Sequence, residues 1–138
     1  MKDDALLRAS GALTGGIGGM ADTCGSMIGA TLILGAVCGR GRQDEGEKGM
    51  EKLSESVRRA ADFYRWFKED AGAITCRDIV TNFGNGVFYD FGDPAQARAA
   101  FEAGVAQKCV LHVQKVVTRA TEILWDELLK GKIAGNDG

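Results

Sequence analysis

The sequence predicts a compact all-α domain, a bundle of four to five helices with one glycine-rich loop and one irregular aromatic loop. Apolar residues recur at three- and four-residue spacing along most of the chain, which is typical of helices that bury one face. Strands do not alternate with helices, and no internal repeat is present. The length of 138 residues fits one domain, so we assign residues 1–138 to a single unit.

The first half of the chain predicts three helices. Asp4 lies at the start of a short amphipathic segment, and Asp22 and Thr23 offer capping oxygens for a helix over about residues 24–37. A longer helix starts near Met50, and we expect its apolar face to be buried: Met50, Leu53, Val57, Ala60, Ala61, Tyr64 and Phe67. We expect its charged face to be solvated: Glu51, Lys52, Glu55, Arg58, Arg59, Asp62 and Arg65.

The second half predicts a short helix, the aromatic loop and a long helical segment. Thr75 can cap a helix that opens at Cys76. Residues 82–93 mix glycines with aromatic residues and predict a loop, although the Asn85-Gly86 pair leaves a small hairpin open as an alternative. Pro94 suits the first position of a helical segment, either unbroken or interrupted near Gly104. Its predicted inner stripe is Val105, Cys109, Val113, Val116, Ala120, Ile123 and Leu128.

Charge and composition exclude several classes of partner. A net charge of −2 provides no basic field for a phosphate backbone, so nucleic acid is not an expected partner. The apolar run 27–37 is too short to span a bilayer, and the acidic N-terminal sequence does not resemble a secretory signal. We therefore expect no membrane partner and a cytoplasmic location, where cysteines serve as free thiols, metal ligands or a redox pair.

Three of the four cysteines are candidates for one shared site. Cys24 is predicted in the first turn of a helix, where the helix dipole favours a thiolate, so we expect it to be the most reactive thiol although the charge of Asp22 opposes this. Cys76 repeats that setting, and Cys109 lies on the predicted inner stripe. Cys38 would lie about 21 Å from Cys24 along a continuous helix and is expected to stand apart. The alternative is that these cysteines are inert core residues.

His112 is the only histidine and follows Cys109 at Cys-x-x-His spacing, which places both side chains on one helix face. A thiophilic metal accepts both ligand types. The sequence therefore offers Cys24, Cys76, Cys109 and His112 as a metal-ligand set, against the simpler interpretation of an ordinary hydrogen-bonded histidine.

The glycines around the first cysteine are candidates for cofactor contact. Gly16, Gly18 and Gly19 belong to a loose GxGxxA match, but the preceding segment does not resemble the buried strand that dinucleotide binding requires. Gly25 and Gly29 share a helix face and let a cofactor or a neighbouring helix approach closely. Tight packing is the alternative at each of these positions.

The segment GGIGGMADTCGSMIGATLILGAVCGR resembles the signature of the redox-active C_GCAxxG_C_C family. The family's core motif is matched by Cys24-Gly25-Ser26-Met27-Ile28-Gly29, with Ser26 in the alanine position. The later segments ITCRDIV and KCVLHVQKVV are similar to the family's third and fourth cysteine segments, which maps those cysteines onto Cys76 and Cys109. The family also has a cysteine in a helix before the glycine loop, and this chain has no cysteine before Cys24.

The resemblance implies thiol redox chemistry or a thiophilic metal. A related domain in split-Soret cytochromes implies an iron–sulfur cluster, but no Cys-x-x-Cys-His sequence is present, so haem is not expected.

Two functional hypotheses follow. The first is a thiol-based redox or metal-binding protein that acts on a redox partner protein. The second is a non-catalytic helical interaction module. The chain should also form a homodimer, since the family's absent first helix would leave the surface around Leu32, Ile33 and residues 105–117 uncovered.

Overall fold

A computed structural model describes residues 4–129, with the side chain of Leu128 outside that description, so the predicted place of Leu128 on the inner stripe is untested. The chain forms α1 (Asp4–Ser10), a 3-10 turn (Gly11–Leu13), α2 (Gly25–Cys38), α3 (Gly46–Ala71), α4 (Cys76–Phe83), α5 (Pro94–Glu102) and α6 (Val105–Leu129). Apart from one isolated bridge between Thr23 and Thr75, no β-structure occurs within residues 4–129. The all-α prediction is confirmed.

Residues 4–129 form six α-helices, one more than predicted, because the last predicted segment is divided at Gly104. This glycine has a φ of +76°, a left-handed conformation that ends α5 and redirects the chain into α6. The aromatic loop between α4 and α5 contains no hairpin strands, and its side chains Phe88, Tyr89 and Phe91 pack instead against a small core. None of the helices in the described part of the chain is long and apolar enough to cross a membrane.

Two clusters of buried side chains form the core. The larger lies where α2 packs against α3 and α6, and its fully buried members include Leu34, Phe63 and Phe67. The smaller joins α4, α5 and α6 through Val80, Ala100 and Val105. The two cysteine-bearing helix starts lie beside these clusters.

The orientation of α3 differs from the prediction. Arg59, assigned to the solvated face, is only 6% exposed, whereas Met50 and Val57 of the predicted buried face are 55% and 59% exposed. Leu53 and Tyr64 of that face are exposed as well. The buried line runs through Arg59, Phe63 and Phe67, which are four residues apart and therefore share one face.

Arg59 is accommodated in the interior because two carboxylates neutralise it. Its guanidinium lies 2.6 Å from Glu127 of α6 and also pairs with Glu55 of α3. The Glu127 hydrogen bond comes first among the contacts that hold the pKa of Arg59 above its usual range. Hydrogen bonds from Arg58 and Arg59 lower the pKa of Glu55 to about 2. This ion pair joins α3 to α6.

The inner stripe of α6 is confirmed in part. Val105, Val116 and Ala120 are buried, and Ile123 packs against the larger cluster. Val113 was expected on the same stripe, but it is 43% exposed because it lies at the edge of the buried face.

Candidate functional site: a group of three thiols

A short antiparallel contact brings Cys24 and Cys76 together. Thr23 and Thr75 pair across it, the Cys24 N–H donates to the Ile74 carbonyl at 2.8 Å, and the Cys76 N–H donates to the Asp22 carbonyl at 2.6 Å. Each cysteine follows its paired threonine, so the two are diagonal neighbours on one face of the contact. Such neighbours lie about 7–8 Å apart.

Cys24 is the N-cap residue of α2, one position before the first turn in which the sequence placed it. The expected Asp22-Thr23 cap is therefore wrong: the Asp22 carboxylate accepts a hydrogen bond from the Thr23 N–H at 2.7 Å instead. The hydrogen bond from Cys24 to the Ile74 carbonyl keeps Cys24 extended, with a ψ of 125°, and delays the helix by one residue.

The surroundings of the Cys24 sulfur are polar on one side. Its Sγ lies 3.1 Å from the Ser26 hydroxyl, and the N–H groups of Gly25 and Ser26 have no acceptor in the part of the chain that the structure describes. Open N–H groups at a helix start stabilise negative charge. Ser26 was not singled out from the sequence, where its only signal was the departure from alanine in the motif.

Cys76 is the first residue of α4, as the sequence predicted. The Thr75 hydroxyl accepts from the Asp78 N–H at 3.1 Å and so caps the helix. Burial, the Cys24 thiol and the Asp90 carboxylate together raise the pKa of Cys76 to about 11. Asp90 is thus a further charged neighbour that sequence reasoning missed.

Cys109 brings a third thiol to the same place from α6. It packs with Cys76 against the smaller core cluster. Burial raises the pKa of Cys109 to about 11, with further contributions from Cys76 and then Cys24. Three thiols from separate elements therefore lie within electrostatic range of one another, and all three are free and half-buried.

Cys38 lies elsewhere, at the end of α2 beside the buried ion pair. Burial raises the pKa of its thiol, the Arg59 guanidinium acts in the opposite direction, and Glu127 and Glu55 raise it further. The charged groups around Cys38 are thus those of α3 and α6, not the other cysteines.

His112 is buried against aromatic rings. It contacts Phe67 and Phe83 edge-on, with ring centroids 5.0 and 6.1 Å away, and its Nε2 atom has no hydrogen-bond partner in the described residues. Burial lowers the pKa of His112, while Asp70 acts in the opposite direction. No cysteine is among the groups that shift the pKa of His112.

The thiols do not form a metal centre in this arrangement. Between residues 4 and 129, no three or more His, Cys, Asp or Glu side chains are placed to hold a metal ion. The expected set of Cys24, Cys76, Cys109 and His112 therefore stays a prediction without support from the geometry. An iron–sulfur cluster, which usually takes four cysteine ligands, likewise stays a prediction.

Two of the four candidate cofactor glycines are explained by packing within the chain. A Cβ at Gly16 would lie 2.7 Å from the Cys76 Cβ and 2.6 Å from the Asp22 carbonyl oxygen. A Cβ at Gly25 would overlap the Leu13 carbonyl. Gly18 and Gly19 are more open, and both have positive φ.

The glycine loop itself is internally bonded. The N–H groups of residues 17–22 each donate to a backbone carbonyl between Ala12 and Ile17. A phosphate cradle needs free N–H groups, and the loop follows a helical turn instead of a strand. The geometry does not support dinucleotide binding at this loop.

The sequence profile of the family described as "Putative redox-active protein (C_GCAxxG_C_C)" matches residues 1–123. The chain belongs to this family. No curated protein and no solved structure was found to match it. In the C_GCAxxG_C_C chain described here, the motif cysteine Cys24 and the two later cysteines Cys76 and Cys109 are the three that the fold groups together.

Proposed function

We propose that the chain is a thiol–disulfide redox protein in which Cys24 attacks and Cys76 resolves. The observation that carries this proposal is the grouping of three free thiols from separate elements within electrostatic range. Membership of a family named for redox activity agrees with it. The substrate class is a disulfide in a partner protein.

The first step forms a mixed disulfide. The Cys24 thiolate attacks one sulfur of the partner's disulfide; a new S–S bond to Cys24 forms, the partner's S–S bond breaks, and one partner thiolate leaves and takes up a proton. In the second step the Cys76 thiolate attacks Cys24 and releases the other partner thiolate. Two thiols are oxidised to one disulfide and the partner's disulfide is reduced, with two electrons and two protons transferred.

The assignment of roles follows from the neighbours of each thiol. Cys24 is assigned the attacking role because it lies at the open N–H groups of α2, with its Sγ 3.1 Å from the Ser26 hydroxyl. Cys76 has a pKa of about 11 in the reduced protein, so it starts the reaction poorly. The charge on Cys24 is one cause of that raised pKa, and mixed-disulfide formation removes this charge. Cys76 is therefore easier to deprotonate in the mixed disulfide, the species that it attacks in the second step.

Formation of the internal disulfide requires a small movement. Diagonal neighbours lie about 7–8 Å apart, whereas bridged cysteines have Cα atoms within about 7 Å. On this spacing an approach of at most about 1 Å between the two helix starts suffices for the bond. Cys109 borders the pair and stays reduced in this scheme.

The test is oxidation in glutathione buffers followed by mapping of disulfides by mass spectrometry. The wild-type chain should form a Cys24–Cys76 bond in a buffer poised near the endoplasmic reticulum value of about −200 mV. The C76S variant should accumulate a mixed disulfide of Cys24 with glutathione. The C38S and C109S variants should still form the internal bond.

Four free thiols in the wild-type chain under oxidising buffer would overturn the proposal. A bond to Cys109 in place of Cys76 would overturn the assignment of the resolving residue. Metal analysis and visible absorbance of anaerobically purified protein test the iron–sulfur alternative, which predicts about stoichiometric iron and thiolate-to-iron absorption.

A further inference from the structure

A helix face of α3 is apolar but not covered by the described part of the chain. Met50, Leu53, Val57 and Tyr64 are exposed and follow three- and four-residue spacing. The same helix buries a charged arginine on another face. An amphipathic helix normally buries its apolar face, so this stripe needs a partner.

Helix α2 carries a second uncovered stripe. Gly29, Leu32 and Ala36 share one face, and each is at least partly exposed. A Cβ at Gly29 would meet nothing within 4 Å, so the space above it is open. Small residues at 29 and 36 allow another helix to approach the backbone closely.

Helix α6 adds Val113 and Val117, both exposed and four residues apart. On α6, these valines lie on the opposite side of the buried line from Arg119, which contacts Trp66 of α3. On α3, the apolar stripe likewise lies on the opposite side of the buried line from Trp66. Since α2 packs against both α3 and α6, the α3 stripe lies along one side of α2 and the two valines of α6 lie along the other. Together with the α2 stripe they make one surface, which we call the outer apolar face.

The chain exposes more surface than a folded monomer of its mass. The accessible surface of the chain is 9168 Å², whereas a folded monomer of this mass exposes about 6,900 Å². Even with the full surface of an unfolded chain, about 1,800 Å², allotted to the twelve terminal residues outside the described range, the other 126 residues expose about 7,400 Å², against about 6,500 Å² for a folded chain of their mass. A standard interface buries about 800 Å² on each partner.

We propose that the outer apolar face binds a second copy of this chain in a symmetric dimer. No stripe position carries a charge: Gly29, Leu32, Ala36, Met50, Leu53, Val57, Tyr64, Val113 and Val117. Such composition is typical of permanent homodimer interfaces, whose cores are depleted of charge. The net charge of −2 opposes association of two copies only weakly. The dimer is independent of the thiol chemistry.

The experiment measures the mass of the full chain by light scattering. Wild-type protein should have twice the mass of the chain at about 50 µM and dissociate on dilution. The V57E variant should weaken the dimer by at least about 100-fold, because two glutamates would be buried near a two-fold axis. The matched control is V87E: Val87 is 51% exposed, close to the 59% of Val57, but lies in the aromatic loop.

A second measurement needs no variant. Peroxide oxidation of Met50 should slow as the wild-type protein is concentrated, whereas Met20, which is 74% exposed and outside the face, should not change. A monomeric wild-type chain would overturn the proposal. A dimer that V57E does not weaken, and whose Met50 oxidation does not slow with protein concentration, would overturn it as well. Loss of association in V87E to the same degree would also overturn it.

Discussion

At the residue scale, burial sets the chemistry of the two inner thiols. Cys76 and Cys109 each have a pKa of about 11, and desolvation is the largest cause in both. The charges of neighbouring cysteines add to it. A pKa shift caused by burial disappears when the chain unfolds, so the reactivity of these thiols reports the folded site.

The first prediction is a steep pH dependence of alkylation at these two residues. At pH 8 a thiol with a pKa of about 11 is about 0.1% thiolate, against about a quarter for an ordinary cysteine. Iodoacetamide labelling of Cys76 and Cys109 should therefore rise about tenfold per pH unit and continue to rise to pH 10. Peptide mass spectrometry measures it, with urea-unfolded protein as the control. A plateau near pH 8.5 in the folded protein would contradict the prediction.

The second prediction concerns Gly16. Alanine at this position must adopt a φ of +73° and place its Cβ against the Cys76 Cβ and the Asp22 backbone. Gly18 has a similar φ of +61° but open space around it, so G18A is the matched control. The left-handed backbone costs about 1 kcal/mol in both variants. G16A should lose at least about 2 kcal/mol more in urea unfolding, because backbone atoms cannot move aside. Equal losses would show that the contact with Cys76 is unimportant.

At the element scale, α3 shows what periodicity predicts and what it leaves open. The three- and four-residue spacing from Met50 correctly predicted a helix, since that spacing is a local property. Of the predicted stripe, Phe67 is buried, but the spacing did not predict that Phe63 and Arg59 share its buried face while Met50 and Val57 are exposed. The carboxylate that makes burial of Arg59 tolerable is Glu127, on a distant helix. No local signal in α3 reveals it.

The third prediction tests this buried pair. R59M removes the guanidinium that pairs with the buried Glu127, which should reduce the free energy of unfolding by about 3–5 kcal/mol. The double variant R59M/E127M should recover most of that loss, since the pair is replaced by packed apolar side chains. R65M removes an exposed arginine paired with Asp62 and should change stability by less than about 1 kcal/mol. Urea unfolding measures all three, and similar losses in R59M and R65M would contradict a structural role for the pair.

At the scale of the whole molecule, the fold class was predictable and the assembly of the site only in part. Helical spacing and capping residues are local, so the helices and the Thr75 cap followed from sequence. The grouping of Cys24 with Cys76 depends on a single bridge between Thr23 and Thr75, which has no strand pattern around it. That bridge also delays the start of α2 and makes Cys24 its cap. Contacts of this kind arise from packing of distant segments, which periodicity does not report.

The fourth prediction joins the thiol site to the stability of the molecule. A Cys24–Cys76 bond would close a loop of roughly 50 residues and so restrict the unfolded chain. Part of this entropic gain is lost to strain in the folded protein, so the expected stabilisation is about 2–4 kcal/mol. Oxidised wild-type protein should therefore unfold at higher urea concentration than reduced protein. The C38S variant should show the same difference, because Cys38 lies beside Arg59 and away from the pair. The C76S variant should show none. An equal shift in C76S would mean that oxidation stabilises the chain through some other bond. If wild-type protein forms the mapped Cys24–Cys76 bond but shows no shift, the bond strains the two helix starts as much as it restrains the unfolded chain.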